Sequence, residues 1–167
     1  MKTILSLALY STLMWASANS AYAQPAPLQQ TPIETLSPEL RSLLQQEMSA
    51  IENGMKGIIS AYISGDLKTI GEIAGRLESS FILKQKITEA QKQELHQKLP
   101  KQFIDKDKQS HKIARKIEQA SLENNMELVG IYYSKLLGSC VSCHSEFATH
   151  RFPELINTRP NKEDYYY

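Results

Sequence analysis

Between Leu40 and Tyr62 the apolar residues Leu40, Leu44, Met48, Ile51, Met55, Ile58 and Tyr62 recur at steps of four or three. That is the period of one helical face, held through about 25 residues, so the segment is a long helix that must bury a single stripe against other elements. Ser37-Pro38-Glu39 ahead of it supplies an N-cap, a Pro at the first helical position and an early acid, and Ser64-Gly65 ends it. Asp66 restarts the same period through Leu67, Ile70, Ile73, Ala74, Leu77, Phe81 and Leu83, after a connection so short that the two helices must be antiparallel neighbours.

Residues 84–109 are polar and broken by Pro100, and they predict a short helix from Thr88 to Leu99 inside a longer crossover. A third helix is expected from His111 to Ala120, with Ile113, Ala114, Ile117 and Ala120 on one face. Glu123-Asn124-Asn125 interrupts it, and a fourth helix runs from about Met126 to Thr149. There is no alternating strand pattern longer than a few residues, no internal repeat and no Gly-rich phosphate loop. The expected fold is all-α, an antiparallel four-helix bundle over residues 37–152.

The ends read differently. Residues 1–23 carry Lys2, an apolar stretch from Ile4 to Trp15 and small residues ending Ala21-Tyr22-Ala23, the pattern of a cleaved secretory signal peptide. The apolar stretch is shorter than the roughly 20 residues that span a bilayer. Residues 24–36, rich in Pro and Gln, predict an extended lead-in, and residues 153–167 a surface or frayed tail. Once the leader is cleaved, the product is expected to be soluble, periplasmic and not membrane-spanning.

Charge narrows the partners. With 19 basic against 18 acidic side chains the formal charge is +1, and loss of Lys2 with the leader brings it to zero. A domain that held nucleic acid through its phosphates would need a clear basic excess. Any docking must rest on a local patch.

The chemistry lies in Cys140-Val141-Ser142-Cys143-His144, on the last predicted helix. Residues three and four apart share a helical face, so Cys140 projects beside both Cys143 and His144. Two thiols so placed can add across the two vinyl groups of a haem, with the adjacent imidazole held against its iron, and C-x-x-C-H is the signature of that covalent attachment. The competing uses fit less well. A dithiol redox pair belongs at the start of a helix in a βαβ setting. A structural zinc site needs further ligands, whereas His96, His111 and His150 are scattered. A disulfide between residues three apart constrains almost nothing. The pentapeptide therefore assigns one covalently attached haem c and its iron, with Cys140 and Cys143 as anchors and His144 as proximal ligand. No nucleophile, acid pair or second metal cluster points to an enzyme.

Only residues 145–167 follow His144, with no Met among them, so a methionine ligand would have to come from upstream. In this layout the chain resembles the class II c-type cytochromes, the cytochrome c prime family and its low-spin His/Met relatives. The matching residues are Ser37-Pro38-Glu39 opening the first helix, Gly65 closing it, C-V-S-C-H on the fourth, and Phe147 three residues beyond the histidine. Members often carry a basic residue directly after that aromatic, where this chain has Ala148, with Arg151 three residues later. The resemblance implies a monohaem carrier of single electrons between periplasmic donor and acceptor proteins. It also implies the alternative of a high-spin protein binding NO or CO at an open distal haem face. It leaves homodimerisation through the first two helices open.

Family layout puts Met48 close to the residue that faces the distal side of the haem, as either ligand or packing. Met126 lies on the same helix as His144, roughly 27 Å away at 1.5 Å per residue, and Met55 reads as core. Tyr133, Leu136 and Phe147 are candidates for haem packing, with Tyr132 a bundle-core or haem-packing aromatic. Arg41, Lys135 and Arg151 are candidates to pair with propionates through charge-assisted hydrogen bonds. His111 and His96 read as a satisfied and an exposed histidine, and His150 could sit near the haem rim.

Overall fold

The computed structural model describes residues 31–156. The predicted leader, the first part of the lead-in (24–30) and the end of the tail (157–167) lie outside the described residues. Six α-helices follow one another: α1 (Pro38–Ser64), α2 (Leu67–Ser79), α3 (Leu83–Lys86), α4 (Glu89–Lys98), α5 (Lys101–Leu122) and α6 (Met126–Phe147). Among the described residues there is no strand, and no helix is long and apolar enough to cross a membrane.

The boundaries follow local chemistry. Pro38 opens α1 behind Ser37, and Gly65 closes it in the left-handed region at φ 75. The Asp66 carboxylate accepts the Thr69 N–H at 3.0 Å and starts α2. Thr88 and Gln91 form a capping box on α4, and the Asn125 side chain accepts the Leu128 N–H on α6.

Three segments depart from the periodicity. The second helix stops at Ser79 rather than continuing through Leu83, because residues 80–83 turn onto α1. The third begins at Lys101, immediately after Pro100, so the polar run 101–110 is helical although only part of one face is covered. The end of the lead-in is a 3-10 turn, Pro32–Thr35, and Leu36 behind it is buried.

Two apolar clusters fill the interior. The larger is drawn from α1 (Met55, Ile58, Ala61), α2 (Ile70, Ala74, Leu77), α5 (Ile113, Ala114, Ile117, Ala120) and α6 (Val129, Leu136). Full burial of a side chain such as Ile58, Ile70 or Ile117 is worth about 1.5–3 kcal/mol. The smaller joins Leu36, Leu40 and Leu99 to Leu44, Leu83, Leu95, Phe103 and Ile104, so the crossover helix α4 packs under the first turns of α1. Helix α1 lies along α2, α2 along α5, and α5 along α6. Helices α1 and α6 approach each other only sparsely.

The corner after α2 is held by one buried acid. Glu47, 3% exposed, accepts hydrogen bonds from the Ser80 hydroxyl (2.9 Å) and from the backbone N–H groups of Phe81 (3.0 Å), Ile82 (2.6 Å) and Leu83 (2.9 Å). These donors would otherwise be orphaned at the start of α3. Ser80 sits at φ 67, unusual for a side-chain-bearing residue, and its bond to Glu47 helps hold it there.

Candidate functional site

Two tyrosines set how α1 faces α6. The Tyr133 hydroxyl donates to the Met55 carbonyl at 3.1 Å. Tyr62 covers Gly130 so closely that a Cβ there would lie 2.7 Å from the tyrosine oxygen. The pairs Tyr62 with Gly130 and Met55 with Tyr133 run in opposite directions, so the helices are antiparallel. Two turns beyond Met55 on α1 stands Met48, and two turns beyond Tyr133 on α6 stands Cys140. The register therefore brings Met48 and Cys140 to one level of the gap between these helices.

On α6 the residues Leu137, Cys140 and His144 recur at steps of four and three from Tyr133 and so share the helical face of the tyrosine that reaches α1. Leu137 and Val141 are 45% and 48% exposed, large apolar side chains with little cover. The opposite side of α6 is anchored to α5. Ser139 meets Ser110 (3.1 Å), and Lys106 donates to the Ser142 hydroxyl (2.6 Å) and pairs with Glu146 (3.2 Å). Phe147 is buried and packs edge-on against Phe103 at 5.3 Å between centroids.

Cys140 and Cys143 are both free and half-buried. Burial pushes the Cys140 thiol above its ordinary range and the Cys143 thiol up to about 11. Both are protonated at neutral pH, the reverse of the lowered thiol that a dithiol redox centre requires. Both also lie deep within α6, far from the N-terminus whose dipole could lower them. Burial holds the His144 imidazole below its usual value, with the positive charge of Arg151 adding to the effect. The residue present for an iron is thus a neutral imidazole, the form that ligates. Among the described residues no three His, Cys, Asp or Glu side chains converge as an all-protein metal cage would.

The other sequence candidates are dispersed. Leu136 belongs to the larger core, as does Met55. Met48 is half-buried and, among the described residues, part of neither cluster. Arg41 stands in the first turns of α1 near Glu34. Lys135 and Lys116 both lie over the Tyr132 ring, at 5.8 and 5.4 Å. His111 is satisfied: its Nδ1 meets the Leu77 carbonyl at 2.8 Å, and its Nε2 lies 3.5 Å from Asp107. His96 is exposed. His150 bonds the Thr31 hydroxyl at 3.1 Å and so ties the turn after α6 to the lead-in.

Two residues of this region escape sequence reasoning. Glu47 reads as an ordinary polar-face acid, and Phe152 as the last residue of the bundle, with no role of its own. The phenyl ring of Phe152 stacks on the His144 imidazole, centroids 4.5 Å apart and planes 13° from parallel. No family model matches the chain, and neither does any curated protein or solved structure.

Proposed function

We propose that this chain is an exported monohaem c-type cytochrome that carries single electrons between periplasmic donor and acceptor proteins. The observation that carries the proposal is C-x-x-C-H within a long helix, its two protonated, half-buried thiols on a face that α1 only sparsely covers.

The residues present fit the group. Cys140 and Cys143 would hold it through thioether bonds, and His144 offers a neutral nitrogen one helical turn from Cys140. The exposure of Leu137 and Val141 beside Cys140 is what an apolar cofactor edge would cover. Haem c supplies a one-electron ferric/ferrous couple whose potential the protein tunes through axial ligand, burial and hydrogen bonding. The all-helical fold is consistent with this reading, in which α1, α2, α5 and α6 would be the four helices of the bundle and α6 would carry the attachment site.

Met48 favours the electron carrier over the gas-binding alternative. Its level opposite Cys140, and its absence from both packed clusters, leave the thioether available as a second axial ligand.

The test is expression of the full chain, leader included, in a host that attaches haem in its periplasm. The mature protein is expected to gain the mass of one haem and to show a c-type haemochrome spectrum. Cys140→Ala with Cys143→Ala is expected to lose the covalent haem. A mature wild-type chain with no bound haem would overturn the proposal.

A further inference from the structure

The turn after α6 folds an aromatic ring back onto the last residue of the pentapeptide. The Ala148 N–H bonds the His144 carbonyl at 3.0 Å, ending the helix, and the Ala148 carbonyl accepts the N–H groups of Arg151 (2.9 Å) and Phe152 (3.0 Å). The bond between His150 and Thr31 fastens the same turn to the chain ahead of α1. Phe152 is thereby fixed by backbone bonds, and its ring, 38% exposed, lies nearly parallel to the His144 imidazole.

We propose that Phe152 is a positioning residue for the axial ligand His144, restraining its ring and shielding one of its faces from water; this rests on the cytochrome reading above. A metal bond to an imidazole forms in the plane of the ring, along the nitrogen lone pair. A partner stacked on the face therefore leaves that direction open while it hinders rotation about the bond from Cβ to the ring. Groups that orient a metal-ligating histidine and control solvent access to it tune the metal as well. Water admitted to the face would favour the more highly charged ferric state and lower the potential.

The test uses the full mature chain in two states. In the haem-free chain the His144 ring protons are expected to resonate upfield of their position in Phe152→Leu, because the phenyl ring current acts on them. Phe152→Tyr is expected to keep that shift. In the haem-loaded chain Phe152→Leu is expected to lower the midpoint potential and change the ferric EPR anisotropy at unchanged helix content, and Phe152→Tyr to restore both. An unchanged potential and EPR spectrum in loaded Phe152→Leu would overturn the positioning role. Absence of the upfield shift from the haem-free protein would overturn the stack itself, independently of any haem. A chain that takes up no haem overturns the cytochrome reading, and the role falls with it.

Discussion

Glu47 Oε2 accepts the Ile82 N–H at 2.6 Å across the corner between α1 and the start of α3, and the same carboxylate takes three further donors from residues 80–83. Removing it strands half-buried backbone donors, each costing at most about 1–3 kcal/mol with incomplete additivity. Glu47→Ala is therefore expected to lower the unfolding free energy by about 2–4 kcal/mol, read from the urea midpoint at constant slope. Glu47→Gln is expected to recover only part of the loss, because even with its amide nitrogen turned to the Ser80 hydroxyl that nitrogen would confront the Phe81 N–H. A glutamine variant of full stability would show that side-chain volume, rather than acceptor pairing, holds the corner.

In the haem-loaded protein, Met48→Ala is expected to replace a low-spin ferric spectrum by a high-spin one, lower the midpoint potential and speed carbon monoxide binding to the ferrous form. The reason is loss of a thioether ligand, which raises haem potential. Absorption spectra of both oxidation states check it. Rapid carbon monoxide binding to the unsubstituted protein would instead favour the open distal face and a purely packing Met48.

The thiols give a pH signature in the haem-free chain. Cys143 is pushed up to about 11, against an ordinary value near 8.5 in the unfolded chain. Between those values the unfolded state releases the proton and the folded state keeps it, so stability falls as pH rises from about 8.5 toward 11. Alkylation at about pH 8 is expected to be at least tenfold slower in the folded chain than in urea. Equal rates in the two states would contradict the burial.

His111 acts in the same sense in a lower pH window. A carbonyl can only accept, so Nδ1–H donates to Leu77, and the nearby Asp107 favours a proton on Nε2 as well. The folded pKa is raised, with the Asp107 hydrogen bond the largest cause and burial and the Lys84 charge opposing it. The stabilisation is fully present below the unfolded value of about 6.5 and is lost as pH rises through the raised folded value. Asp107→Asn is expected to lower the His111 pKa, measured by NMR titration, and to flatten the fall of stability in that window.

What sequence alone determined was what short-range chemistry controls. The seven-residue stripe from Leu40 to Tyr62 needs only the helical period. Ser37-Pro38, Gly65, Asp66 and Asn125 mark helix ends through their own backbone preferences or side-chain caps. The spacing of Cys140, Cys143 and His144 puts all three on one helical face in any fold that keeps the helix. The polar start of α5 escaped because residues 101–110 carry few apolar side chains, of which Phe103 and Ile104 find their cover on distant segments, among them the first turns of α1 and, for Phe103, Phe147 of α6.

Tertiary structure alone decided the rest. Glu47 is a polar-face residue until residues 80–83 fold across it and supply four donors. Phe152 is an unassigned residue at the end of the expected bundle until the turn at Ala148 lays its ring on His144. The level shared by Met48 and Cys140 exists only because Tyr62 meets Gly130 and Tyr133 meets Met55. In each case the partners lie far apart in the chain or across a turn that has no periodicity, and a helical period carries no information about which distant group will face it.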